Sequence, residues 1–148
     1  FVRAFGTQGK EEGEFYHPTG ICAGRNGNII IIDLDWKRVQ VFDGEGRFIR
    51  RIGSEGDGPG QFNRASGIAV GEAGEIIVSD FSRKDIQVFS KEGELLQIIG
   101  KGGDSDVIWG SNASPLHMCT FGDGRLVALT HDKRPDRGPE KLEVVFLS

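Results

Sequence analysis

Basic residues stand beside aromatic ones at intervals along this 148-residue chain. The groups are Trp36-Lys37-Arg38, Phe81 followed by Arg83-Lys84, and Lys133-Arg134 with Arg137. Tyr16 and His17 add aromatic surface nearer the start. Rings that stack on bases, beside cations that meet phosphates, suit single-stranded RNA. The same mixture suits a protein partner, because Trp, Tyr and Arg anchor interfaces. Acidic residues fill other loops: Glu11, Glu12 and Glu14, then Glu55 and Asp57, then Asp104 and Asp106. These repel phosphates. A solvated face, with the cations paired to Asp35, Asp85, Asp132 and Asp136, is the plainer alternative.

Catalytic chemistry has little to work with. The histidines are His17, His117 and His131, and none shares a metal-binding spacing with another. Gly-x-Ser-x-Gly, His-Glu-x-x-His and phosphate-loop strings are absent. We therefore expect no catalytic residue, no metal site and no cofactor. Cys22 and Cys119 read as small apolar residues of the interior, too far apart in the repeat to pair. That points weakly to a reducing, cytoplasmic setting. Asp33 and Asp80 recur at the same place in successive repeats, so they read as scaffold: a carboxylate at a strand end accepts turn N–H bonds.

The elements that must hold these residues follow from a period of 47. Residues 1–47 laid over 48–94 without a gap give 19 identities. Gly6, Gly53 and Gly100 mark the period, as do Phe15 and Phe62, Gln40 and Gln87, and Phe42 and Phe89. Lys occupies position 37 and its counterpart 84. A fixed period of this length belongs to solenoids, propellers or arrays. Within it the runs Phe1–Gly6, Gly20–Ala23, Asn28–Asp33, Arg38–Asp43 and Arg47–Gly53 are β-branched or alternating, with Gly, Asn or Asp turns between them. No stretch has a helical period. The reading is all-β, four strands per repeat, as in one propeller blade. The chain forms a single segment over 1–148 with repeats at about 1–47, 48–94 and 95–148.

The residues that carry the period also resemble a family. The string is Phe-Gly, a Gly-rich loop closing on Gly-Glu-Phe or Gly-Gln-Phe, then Gly-Ile. It continues with Gly-x-Ile-Ile-Ile/Val-x-Asp, Val/Ile-Gln-Val-Phe and a closing Ile-Gly. It resembles the NHL repeat, strongly over 1–100 and weakly over 101–148, and most of all the propellers of tripartite-motif proteins. The resemblance implies six-bladed rings in which strand a lines the channel and strand d lies outside. The order here is then d-a-b-c three times, with d strands from Phe1, Phe48 and Leu95 and a last c strand near Leu142–Leu147. That is half of a six-bladed ring. Excision from a longer protein, pairing of two copies into one ring, and an open half-propeller facing a partner all fit. The resemblance further implies that the d–a and b–c loops share the functional rim. It implies RNA or protein targets, as in substrate recognition for tripartite-motif ubiquitin ligases. Six-bladed relatives also include calcium-dependent lactonases and a zinc-dependent lyase. Their ligand sets have no counterpart here, and a lone His117 near the channel reads as packed.

The third repeat departs from the others. Its register shifts by about three, so that Gly124–Leu129 matches Gly27–Ile32 and Thr130 replaces the periodic Asp. The loop over 131–141 is longer and charged. No run of 18 apolar residues occurs, so no segment reads as a membrane span. The formal net charge of −4 gives no general pull toward nucleic acid.

Overall fold

A computed structural model describes residues 3–100, 113–132 and 141–147. The described residues are strands and turns, without helix. The first four-stranded sheet (blade 1) contains β3 (Pro18–Ala23), β4 (Ile29–Asp33), β5 (Arg38–Phe42) and β6 (Phe48–Ile52), in that spatial order. Blade 2 repeats it with β7 (Ala65–Val70), β8 (Ile76–Asp80), β9 (Asp85–Phe89) and β10 (Leu95–Gly100). Blade 3 contains, among the described residues, β11 (Ala113–Thr120), β12 (Leu126–Asp132) and β13 (Lys141–Leu147). A short parallel pair, β1 (Thr7–Gln8) and β2 (Glu14–Phe15), shapes the first d–a loop.

Each blade is antiparallel throughout and kinks at the same place. The first two strands slip register at Pro18/Gly20, Ala65/Gly67 and Pro115/His117. This aligns Asp33, Asp80 and Thr130 as structural equivalents, so the three-residue shift read in the third repeat holds. It also puts His117 at the site of Gly20 and Gly67. There it is exposed on the inner strand, not packed as expected.

The sheets stack face to face, and the core is the material between them. Ile30, Ile32, Val39 and Val41 of blade 1 meet Ile68, Ile76, Val78 and Phe89 of blade 2, with Phe62. Ala69, Ile77 and Ile86 meet Leu126 of blade 3. Both faces of blade 2 are covered, which is why its strands read as apolar runs. Each fully buried Ile or Phe contributes about 1.5–3 kcal/mol. Glycine is required where the loop turns in: a Cβ on Gly53 (φ 84°) falls 2.2 Å from the Phe62 ring, and on Gly6 (φ 89°) 2.7 Å from Phe15.

Two further expectations change. Residues 3–6 form no strand, because among the described residues no strand lies beside them to complete a ladder. Cys119 is exposed rather than interior, because among the described residues no strand covers its face of blade 3. Its counterpart Cys22 is partly covered by blade 2, and burial pushes that thiol up to about 11.

Candidate interaction rim

One set of polar clamps ties the d–a and b–c loops into a single rim. The Asp33 carboxylate accepts from the N–H groups of Tyr16 (3.2 Å) and His17 (3.0 Å). Asp80 accepts from Asn63 (2.7 Å), Arg64 (2.9 Å), Ser82 (3.0 Å) and Arg83 (3.0 Å). Both carboxylates are buried, and these bonds satisfy them as the periodic position predicts. Gln40 does the same for its loop, accepting from Gly13 N (2.9 Å) and donating to Glu14 O (2.7 Å). Gln87 repeats this with Gly60 N (2.8 Å) and Gln61 O (2.8 Å). Leu34 N donates to His17 O and Phe81 N to Arg64 O, each at 2.9 Å, which joins the two loops directly.

The b–c turns each place a lysine in the left-handed region: Lys37 at φ 50° and Lys84 at φ 60°. Only these two non-glycine residues have positive φ among the described residues. Such a conformation costs a side chain about 1–2 kcal/mol relative to its ordinary state. It reverses the chain just before strand c and so sets which neighbours turn inward.

In blade 1 the inward residue is Arg38, only 4% exposed. Its guanidinium donates to the carbonyls of Lys10 (2.7 Å), Glu11 (3.2 Å) and Glu14 (2.9 Å), and lies 3.6 Å from Asp33. In blade 2 the corresponding position is Asp85, and the guanidinium comes from Arg83, whose side chain is 8% exposed. Arg83 pairs with Asp85 (2.8 Å) and reaches Gly56 O (3.4 Å). Burial pushes the Asp85 carboxyl up despite Arg83, and the neighbouring Asp80 and Asp57 add to the rise. Arg38 and Arg83, both singled out as partner-binding cations, are thus turned into the scaffold.

The outward residues are aromatic. Trp36 is 42% exposed and Tyr16 57%. Their rings meet edge to face, with centroids 6.2 Å apart at 74°. The Trp36 Nε1–H donates to Gly9 O at 3.1 Å, which fixes the indole on the d–a loop. His17 stands beside them, with Nδ1 3.5 Å from Asp35 Oδ1. In blade 2, Phe81 lies under the Arg64 guanidinium, 5.1 Å from its centroid. Arg64 is the repeat counterpart of His17 and escaped the sequence reading; its place next to a periodic loop position was the available signal. Lys133, Arg134 and Arg137 lie outside the described residues. Tyr16, His17, Trp36 and Lys37 come together on blade 1, and Phe81 and Lys84 occupy the same rim of blade 2. Among the described residues no group of three or more His, Cys, Asp or Glu is arranged to hold a metal ion.

Comparison with known proteins agrees with the architecture. A family model, DUF5128, described as 6-bladed beta-propeller, matches residues 8–100. Protein lin-41 of Caenorhabditis elegans is 40% identical over 47 residues, which is 32% of this chain and 4% of that protein. Human tripartite motif-containing protein 2 is 42% identical over 43 residues, 29% of this chain and 6% of that protein. The chain therefore spans a small part of these relatives. Among solved structures, a protein from Bacteroides fragilis superposes with a TM-score of 0.63 at 20% identity, covering 82% of this chain and 32% of that one. A gluconolactonase from Xanthomonas campestris superposes with a TM-score of 0.59 at 13% identity, covering 88% and 48%. At such identities the likeness is one of fold.

Proposed function

This chain belongs to the 6-bladed beta-propeller family, and from that premise we propose that it is a non-catalytic interaction module that captures a protein partner through the Tyr16–Trp36 side of its rim. The observation that carries this reading is the fixed, exposed aromatic pair. Trp36 is held by its hydrogen bond to Gly9 O and by the Tyr16 ring while both remain open to solvent. Large rigid aromatics that lose little freedom on binding are the usual anchors of protein interfaces.

The charge on the rim favours protein over RNA. Arg38 and Arg83 spend their donors on loop carbonyls and buried carboxylates. The loop residues facing solvent include Glu11, Glu12, Glu55 and Asp57. A phosphate backbone needs accessible cations along its path, and of Lys37, Arg38, Arg83 and Lys84 the two arginines are withdrawn.

The test is a selection of random peptides displayed on phage against the immobilised chain. Enriched peptides are then measured on variants. Trp36→Ala is expected to weaken binding about 30-fold or more, the loss of a hot-spot residue worth at least 2 kcal/mol. Lys37→Glu combined with Lys84→Glu is expected to change it less than about threefold. Peptides that bind Trp36→Ala normally would remove the proposal. So would salt-sensitive binding of poly(U) RNA that the double charge swap abolishes.

A further inference from the structure

We infer that the cleft between blades 1 and 2, at the end of the blades opposite Trp36, binds a small apolar carboxylate. The cavity there has a volume of about 260 Å³. Its walls are the turns that follow β3 and β7 and the turn that precedes β10. Its floor is Ile30, Val41, Val70 and Ile76. A cavity of about 150 Å³ takes a benzene ring, so this one takes a ring with a short substituent.

The repeat explains why the gap stays open. Between blades 2 and 3, the Thr120 hydroxyl donates to Val70 O at 2.7 Å and stitches the two blades together. Val70 stands at the same place of the repeat as Thr120, and valine has no hydroxyl with which to reach Ala23. The walls hold their shape by their own bonds. Gly24 N donates to Asn28 O (2.7 Å), Gly71 N to Glu75 O (2.8 Å) and Ser90 N to Glu94 O (2.7 Å). The site is thus formed before any ligand arrives.

The mouth is made of donors. Arg25 and Lys91 are exposed there, with Asn26 and Asn28 in the same turn as Arg25. Asn26 Oδ1 accepts from Asn28 N at 3.2 Å, which leaves the Asn26 amide N–H groups to donate elsewhere. The Lys91 ammonium is 67% exposed and lies 3.8 Å from Glu92, a weak surface pair. Glu72 belongs to the wall but leans toward blade 3: its Oε2 lies 3.2 Å from the point that a Cβ on Gly124 would occupy. Two cations against one averted carboxylate match a monoanion. In blade 2 the same turn carries Glu72 and Glu75 in place of Arg25 and Asn28, so the fold itself asks for no donors at these positions. An apolar floor under converging donors is the form of a small-molecule site. A guanidinium beside amides holds a carboxylate by charge-assisted bonds.

The test titrates the isotope-labelled chain with phenylacetate, benzoate and hexanoate, followed by N–H correlation spectra. The amide of whichever acid binds most tightly is the neutral control. Shifts are expected to gather on Gly24, Asn28, Gly71 and Gly74 and to reach half-saturation at about 1 mM for at least one acid. The amide is expected to bind at least about tenfold more weakly, because it loses the charge-assisted bond. Arg25→Glu with Lys91→Glu is expected to abolish that preference. Ala73→Trp places an indole in the mouth and is expected to weaken the acid about tenfold or more. All three positions are exposed, and the same spectra report whether each variant keeps its fold. Absence of saturating shifts from all three acids at about 10 mM overturns the inference. Equal binding of the amide, a comparison that needs no variant, overturns it as well. So does undiminished binding by a folded Ala73→Trp chain.

Discussion

Replacing Arg38 with methionine separates a scaffold cation from a partner-binding one. The stem of Arg38 is buried and methionine refills most of it. What disappears is the guanidinium that bonds Lys10, Glu11 and Glu14 carbonyls and faces Asp33. Removing one partner of a buried ion pair costs about 3–5 kcal/mol. Two effects temper this. Asp33 keeps its N–H bonds from Tyr16 and His17, and Lys10 and Glu11 are exposed enough to rehydrate. Arg38 Nε is itself buried without a partner, so its removal returns about 1 kcal/mol. The net expectation is a loss of about 3 kcal/mol. For a domain of this size a loss of that order lowers Tm by about 10 °C. The assay is thermal unfolding by circular dichroism, with urea titration to check that the transition stays two-state. Adding Asp33→Asn to Arg38→Met is expected to restore part of the loss, because the carboxylate then no longer sits buried without its countercharge. A Tm within about 2 °C of the parent, the range of an ordinary surface change, would refute the assignment of Arg38 to the scaffold.

Asp85 gives a pH test. Its folded pKa is raised by burial, so the folded state holds this proton more firmly than the unfolded chain does. Its contribution is fully present below the ordinary aspartate value of about 3.9 and is lost as pH rises through the folded value. The Tm difference between Asp85→Asn and the parent should therefore shift in favour of the variant as pH rises from about 4 toward 7; a shift the other way contradicts the sign. At Lys37, substitution by glycine removes the side chain's cost at φ 50° but adds backbone entropy to the unfolded state. A net gain of about 0.5 kcal/mol in urea unfolding is expected, and a loss above 1 kcal/mol would show that the lysine side chain stabilises the turn.

The sequence shows its period directly, and the period carries the strands, their turns and the role of Asp33 and Asp80. It carries less about direction. Trp36, Lys37 and Arg38 read as one basic-aromatic cluster, yet the left-handed backbone at Lys37 interrupts the alternation of side chains and sends Trp36 outward and Arg38 inward. Nothing in residue type announces that break, because lysine is an unusual occupant of such a position. Blade 2 hides its solution further by moving the arginine two places along, from the counterpart of Arg38 to that of Trp36. Residues 3–6 show the remaining limit. Their pattern is that of a strand, but a strand needs a neighbour, and pairing is not written in the segment itself.

The Gly9 and Gly56 carbonyls occupy the same point of the repeat, yet one is met by an indole and the other by a guanidinium. The blades thus behave as sockets of one design fitted with different heads. The carboxylate and glutamine clamps hold the socket whichever head is present, so Arg83→Trp together with Asp85→Arg should transplant the aromatic head of blade 1 onto blade 2. A ring built this way can change what it touches blade by blade, while its load stays on residues the visitor never meets.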